Sequence, residues 1–449
     1  MIKNNLKRKK IISQATGYLF ISIIILTTLI FLYFLFIELV FFLTLKYPNL
    51  SRNSEKLQFS AQIIYDEYDR NIIQYLPECT EYDSALFYTL KKNSSCNFSN
   101  REFSNEYSIN SIGLRDSEQS LSEPEVIFIG DSFTMGWGVN QDETFTSVVG
   151  KKLNIKVLNA GISSYGTARE LEILKRLDTS KTSHLIIQYC LNDLDENKRY
   201  IDNDNKIIIS SEKDYDNTVK KHLDRLKYYP FLYSYKYFQR LNPAFKHLDI
   251  WMAERYENLE KEHYIEAKYF LDTLNSFTIS KKIKIILFEN EFRLKNDWFL
   301  IEVNKLLSNE EYNKLDIIFI STKDLINEDY YQLDSHLNKN GHKKLANKIV
   351  NAIKTQNLNM YIKDYGPKES LVGAAFNLQE DGTSAMWLKV RNLRPSVKAY
   401  IDNTQLKTII NEELAAVQIP EKFLQEKKIF KVLLKDLKGI SNTVLFEVK

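Results

Sequence analysis

The chain has 449 residues, 44% of them hydrophobic and 27% charged, with a formal net charge of +3. A length of this size predicts two or three domains. Five positive charges and no negative ones stand in the first ten residues, "MIKNNLKRKK", so the rest of the chain is slightly acidic and lacks the electrostatic footprint of a nucleic-acid binder.

Residues Ile11 to Ile37 contain no charge. That run exceeds the roughly 20 residues needed to span hydrocarbon and predicts a transmembrane helix over about 15–40, with Glu38 near the outer interface. It is too long for the core of a secretory signal peptide, and no small-residue cleavage site follows, so residues 1–46 read as a basic head and an uncleaved signal-anchor. The basic head then stays in the cytoplasm, and the chain after residue 46 lies outside it, in a periplasm or at a cell surface. The expected partners are the lipid bilayer, met through this one helix, and no nucleic acid. Residues 47–122, rich in Asn, Ser and Tyr, read as an irregular lead-in with a few short strands. Outside the cytoplasm, Cys79 and Cys96 can pair across it, whereas Cys190, in an apolar run, reads as a buried thiol. The six histidines are scattered and no Cys/His spacing suits a metal.

Residues 123–357 alternate between short apolar runs and helical patterns. The runs are "EVIFIG" (125–130), "IKVLNA" (155–160), "HLIIQYC" (184–190), "KIKIILFE" (282–289) and "LDIIFIS" (315–321), each suited to a parallel strand covered on both faces. "TARELEILKRL" (167–177) and "HYIEAKYFLDTL" (263–274) are the clearest helices between them. The fold class is therefore α/β with right-handed crossovers. The stretch 195–262 is too long for a plain crossover and reads as an insertion. In it, "RYIDNDNKIIIS" suggests a hairpin, and "HLDRLKYYPFLYSYKYFQRL" an aromatic amphipathic segment broken at Pro230. That segment suits a cap over a site, a face against the membrane, a partner surface, or an insertion that covers its own apolar side. Residues 366–449 hold short, mostly alternating runs such as "SAMWLKV" and "IFKVLLKD", the pattern of a small all-β, Ig-like sandwich.

Four motifs lie where predicted strands end: "VIFIGDSFTMGWGV" (126–139), "VLNAGISSYGT" (157–167), "IIQYCLNDL" (186–194) and "LDSHLNKNGHKKLA" (333–346). A doubly wound sheet brings such places to one rim. A serine hydroxyl is a weak nucleophile until a base takes its proton. Ser132 is the candidate nucleophile, His336 its base, and Asp334 the group that orients the imidazole. The oxyanion of a tetrahedral intermediate needs donors already in place, and the backbone N–H groups of Ser132 and Gly161 and the amide of Asn192 are candidates. The absence of a Cβ at Gly161 would let substrate approach the backbone there.

In these motifs the chain resembles the SGNH hydrolases, the GDSL-like esterases and acyl-esterases, over about residues 105–355. Their blocks contribute a Ser, a Gly, an Asn and a His, here Ser132, Gly161, Asn192 and His336, and "NSIGLRD" (110–116) also looks like membrane-anchored members. The resemblance implies a flavodoxin-like three-layer α/β/α fold and acyl transfer from an ester with no cofactor. It gives Asp131 and Asp193 supporting roles. The sequence departs from the family at Phe133, where Leu is usual, and at Cys190, which replaces the Gly of the third block. Asp334 also stands two residues before the histidine, not three. His342 reads as a helix residue without a catalytic role, and His184, His222, His247 and His263 as packing or surface residues. The expected activity is a serine esterase removing short O-acyl groups, acetyl by default, from an extracytoplasmic glycan or envelope polymer. The alternatives are an O-acyltransferase with a sugar hydroxyl as acceptor, served by a membrane acyl-donor protein, and a non-catalytic glycan-binding scaffold.

Overall fold

The charge-free run forms part of one long helix, α1 (Ile2–Lys46). Within it, Thr16–Lys46 has a window of mean hydropathy 2.8 with none of that window buried, the one described helix long and apolar enough to cross a membrane. The computed structural model describes residues 2–241, 263–279, 283–290, 297–307, 309–312, 314–355, 360–379, 381–391, 393, 397–411, 414–436 and 439–449. His247 and the distal part of the insertion lie outside the described residues.

The lead-in carries more structure than its composition suggests. Ser54 caps α2 (Glu55–Ile64) through the Leu57 N–H, and the helix widens into a π-helical turn over Tyr65–Asp69. Two antiparallel hairpins follow, β1 (Thr80–Asp83) with β2 (Phe87–Leu90), and β3 (Ser94–Ser99) with β4 (Ser104–Ile109). Cys79 and Cys96 form a disulfide, and they pack with Leu90, Phe98 and Tyr107 around Met135 and Trp137, which belong to the next domain. The lead-in is thus fused to the α/β domain. Opening the disulfide frees a 17-residue separation, for which chain entropy predicts a loss of about 3 kcal/mol. Denaturant unfolding of Cys79→Ser/Cys96→Ser beside wild type checks this.

Five parallel strands make the central sheet: β5 (Val126–Ile129), β6 (Val157–Asn159), β7 (His184–Tyr189), β8 (Lys284–Glu289) and β9 (Ile317–Phe319), in the order β6-β5-β7-β8-β9. This is the flavodoxin-like order, whose switch point lies where the chain turns to opposite sides of its first strand. Every residue of β5 is buried because the sheet is covered twice. Ile127, Ile129, Leu185 and Ile187 face α5 (Thr167–Leu174) and a helix whose described part covers 263–276. Val126, Phe128, Ile186 and Ile286 face α4 (Phe145–Leu153) and the final helix, Lys339–Thr355.

The insertion differs from its expected form. No hairpin forms at "RYIDNDNKIIIS": its first residues end α6 (Asp193–Asp202), and none of its remaining residues, 203–210, is in a strand. Asp193, Asp195 and Glu196 in the first turn and Arg199 in the last suit the helix dipole, so a helix stands where the first strand was expected, and the Asn/Asp-rich residues 203–205 turn the chain at its end. Then come α7 (Glu212–Arg225), closed by a Ser211–Asp214 capping box, and α8 (Leu232–Leu241), separated at Pro230.

The C-terminal part is a two-sheet sandwich. Strands Tyr361–Gly366, Ser384–Arg391, Leu414–Ile419 and Thr408–Asn411 form one antiparallel sheet, and the other is built on Lys428–Asp436. Both face one core that includes Met386, Leu388, Val417, Val432 and Phe446. The sandwich docks beside β9, where Tyr361 stacks on Phe319 at 6.0 Å and Arg391 pairs with Asp316.

Candidate active site

Strand β5 ends at Gly130, whose φ is +155°. A Cβ there would collide with Thr134 Oγ1 and come within 2.6 Å of Gln188 Oε1, so glycine is required for the chain to leave the sheet at this angle. Asp131 caps the short helix α3 (Ser132–Met135) by accepting the Phe133 N–H at 3.0 Å. Gln188 on β7 holds the same turn, its Oε1 accepting the Asp131 N–H and the Thr134 hydroxyl, both at 3.1 Å. Ser132 therefore stands at the start of a helix, where its own N–H has no intrahelical acceptor. Arg115 of "NSIGLRD" is fully buried and donates to the carbonyls of Met135, Gly136 and Val139, fixing the far end of the turn.

Ser132 and His336 meet across the rim. Ser132 Oγ lies 2.7 Å from His336 Nε2, and Asp334 Oδ1 lies 2.5 Å from His336 Nδ1. Both residues of the first pair are nearly buried, and Asp334 is buried completely. The imidazole is clamped by aromatic rings, with Trp137 stacked at 4.7 Å and 15° and Phe133 at 4.6 Å. The two-residue spacing is thus compatible with the triad arrangement, and the backbone N–H of His336 also donates to Asp334 Oδ1 at 3.3 Å.

The second oxygen of Asp334 carries contacts that sequence reasoning missed. It accepts the Tyr65 hydroxyl at 2.8 Å and the Trp137 indole N–H at 2.9 Å, and Arg70 Nε faces it at 3.6 Å. Arg70 also reaches to 3.4 Å from His336 Nδ1 and lies over the Trp137 ring at 4.8 Å. Both Tyr65 and Arg70 are presented by the π-helical turn after α2. Glu102 completes the cradle by accepting the backbone N–H groups of Gln332, Leu333 and Asp334 at 2.7–3.0 Å. No motif marks these residues; their meaning comes only from contacts 230 to 269 positions away in sequence.

Burial alone would raise the Asp334 carboxyl, but Arg70, the imidazole and the Tyr65 hydrogen bond outweigh it and hold it well below the usual carboxylate range. His336 moves down, because burial, helped by Arg70, outweighs the pull of Asp334. The downward shift favours the neutral imidazole, the form able to accept a proton. Removing Arg70 withdraws a positive charge and admits water, and both effects favour the imidazolium. The acid limb of kcat/KM is expected at higher pH in Arg70→Met than in wild type; an unmoved limb would show that Arg70 does not act on His336.

The oxyanion candidates are less closely assembled. The Gly161 N–H donates to Asn159 Oδ1 at 3.0 Å, and a Cβ on Gly161 would meet Met135 N and lie 2.7 Å from Thr134 C. The missing Cβ thus serves packing of this loop on the Ser132 helix, not the approach of substrate. Asn192 is exposed at the start of α6, and its amide donates to the Tyr165 carbonyl at 3.4 Å. Asp193 is buried behind it, accepting the Cys190 N–H and the Thr167 hydroxyl. Its carboxyl is pushed up by burial and by Asp131, as is that of Glu170 by burial and by Asp193. His342 accepts the Phe145 N–H at 3.1 Å and stacks on that ring, with its pKa pushed down to about 3 by burial. Among the described residues no group of His, Cys, Asp and Glu is arranged to hold a metal.

No family model matches the chain, and no curated protein matches it. Solved structures do. One is a protein from Desulfitobacterium hafniense DCB-2 described as lipolytic, of the G-D-S-L family (14% identity, 50% of this chain and 97% of that one, TM-score 0.27). Another is a carbohydrate esterase whose active site displays divergent catalytic and non-catalytic binding functions (15% identity, 52% and 68%, TM-score 0.28). A third is a two-domain esterase active on acetylated mannans (12% identity, 74% and 94%, TM-score 0.29).

Proposed function

We propose that the chain is a serine esterase that works through an acyl-Ser132 intermediate. The observation that carries this reading is the Ser132–His336–Asp334 chain of contacts, 2.7 Å and 2.5 Å long, at the switch point of the sheet. His336 Nε2 accepts the Ser132 proton as Oγ attacks the ester carbonyl carbon. The tetrahedral intermediate collapses, and the departing alkoxide takes the proton from the imidazolium. Water then gives a proton to His336 and attacks the acyl carbon, and as the second tetrahedral intermediate collapses Ser132 Oγ takes that proton back and the acid leaves. The N–H groups of Ser132 and Gly161 and the Asn192 amide are assigned to the oxyanion, for which Gly161 and Asn192 exchange their present acceptors. Asn192→Ala is expected to lower kcat by about two to three orders of magnitude with KM little changed, as measured on p-nitrophenyl acetate.

The substrate we assign is a short O-acyl ester, acetyl by default, on an extracytoplasmic glycan or envelope polymer. Two observations support the location: the apolar stretch of α1 and the Cys79–Cys96 disulfide, a bond typical of oxidising compartments. With a sugar hydroxyl in place of water in the second step, the same residues carry out acyl transfer. The test is labelling of the full-length chain in detergent with a fluorophosphonate. Labelling of wild type and none of Ser132→Ala is expected; a folded wild type that takes no label sinks the reading.

A further inference from the structure

Glu38 is the one charge in the apolar part of α1 before Lys46, and its carboxylate is bonded inside the fold and not left open to solvent. It is 7% exposed, and α8 holds it. Its Oε1 accepts the Tyr228 hydroxyl at 2.8 Å, and its Oε2 accepts the Ser234 N–H at 2.8 Å and the Ser234 hydroxyl at 2.9 Å. A carboxylate among apolar side chains persists only when so bonded. Around it the two helices interlock through aromatic rings. Phe231 meets Phe31 at 5.7 Å, Phe238 meets Phe34 at 4.6 Å, and Tyr237 meets Phe41 at 5.3 Å.

These contacts fix the depth of α8. From Phe31 to Phe41 the helix rises about 15 Å, and the uncharged run Ile11–Ile37 is about 40 Å long against about 30 Å of hydrocarbon. In any register that keeps this run in a bilayer, Phe31 and Phe34 lie in hydrocarbon or in the headgroup layer, and α8 lies beside them. Tyr228, Tyr229 and Tyr235 are about half exposed, as are Leu39 and Phe42 of α1, with the cations of Lys227 and Lys236 beside the tyrosines. Tyrosines at such a level are the side chains suited to a membrane–water interface. The inner side reaches the catalytic residues. Leu232 and Tyr233 of α8, Phe41 and Leu45 of α1, Tyr65 and Leu333 form one buried cluster, and the Tyr65 hydroxyl binds Asp334.

We propose that Tyr228–Leu241, the turn at Pro230 with α8, is a second membrane contact lying in the outer interface against α1, and that it holds the Ser132–His336 rim at the lipid surface. The substrate class suited to such a rim is an acyl ester held at that surface, not one diffusing in bulk solution. The proposal rests on α1 spanning the bilayer. The test places an environment-sensitive fluorophore on single cysteines introduced by Tyr229→Cys, Tyr235→Cys, Ile24→Cys or Ile409→Cys in the full-length chain; Cys190 is buried and the other two native cysteines are paired. Vesicles of phosphatidylethanolamine and phosphatidylglycerol carry spin-labelled lipid, and iodide is the aqueous quencher. Positions 229 and 235 are expected to be quenched several-fold more by a shallow lipid label than position 409 in the β-sandwich. If they respond as 409 does while position 24 is quenched by lipid, α1 is a membrane helix and the second contact is overturned. If position 24 also escapes lipid quenching, the anchor reading falls and this one with it. Labels at 229 and 235 reached by neither quencher would assign the face to a protein partner and overturn the lipid assignment.

Discussion

Ser132→Ala in the full-length chain is expected to lower kcat on p-nitrophenyl acetate by roughly six orders of magnitude, to the limit of detection, and His336→Ala by about as much. The two losses are not additive, because each residue acts only through the other: a hydroxyl without a base stays protonated, and a base without a nucleophile has no proton to take. The double variant should therefore match either single one. Stability responds differently. Ser132 occupies a helix start whose cap is the Asp131 side chain, so Ser132→Ala leaves the fold unchanged. His336 fills the space between Trp137 and Phe133, so His336→Ala also opens a cavity and lowers the melting temperature. A His336→Ala chain that keeps more than a tenth of wild-type turnover would remove the imidazole from the mechanism. Rates and melting curves taken together separate that result from simple unfolding.

The parts of this arrangement that are legible in the sequence are those that obey local rules. Four apolar residues before Gly130-Asp131-Ser132 are a strand ending at a cap, and both the strand Val126–Ile129 and the Asp131 cap are present. The parallel sheet follows from alternation of strands and helices and the sandwich from its period-two runs, whereas the flavodoxin-like layering is implied by the resemblance. The hairpin at 199–210 is the instructive miss. The Asn/Asp-rich composition does mark a turn, at 203–205 with Asp204 and Asn205 at positive φ, but that turn ends α6, whose acidic first turn and Arg199 suit the helix dipole, and it joins no strands. Glu38 shows a second limit. A single carboxylate at the end of an apolar run looks like an interface marker, and nothing local reveals that Ser234 and Tyr228, about 190 residues later, supply its donors. Tyr65, Arg70 and Glu102 are illegible for the same reason. Each is an ordinary residue in an ordinary stretch, and only the folded chain brings it to Asp334.

Asp334→Asn tests that assembled environment most severely, with an expected loss of about four orders of magnitude in kcat at neutral pH. Every neighbour of the carboxylate is a donor: the His336 ring and backbone N–H on Oδ1, and Tyr65, Trp137 and the Arg70 guanidinium on or facing Oδ2. An amide has one oxygen and one NH2 group, so one side must fail. With the NH2 toward His336, Nδ1 becomes an acceptor, the ring proton moves to Nε2, and Ser132 faces a donor that cannot take its proton. With the NH2 toward Oδ2's partners, it opposes the Tyr65 hydroxyl and the indole N–H, and Arg70 loses its closest buried counter-charge; Asp66, at 3.4 Å and half-buried, compensates only in part. Unsatisfied groups of this kind cost roughly 1–3 kcal/mol, so a lowered melting temperature should accompany the loss of rate. Asp334→Ala removes the oriented partner without inserting a wrong one, and its imidazole can still reach the productive tautomer. Asp334→Ala is therefore expected to retain more activity than Asp334→Asn at equal protein stability. If Asp334→Asn loses stability but keeps its rate, the residue is a structural clasp between the lead-in and the last helix, and the base works without it.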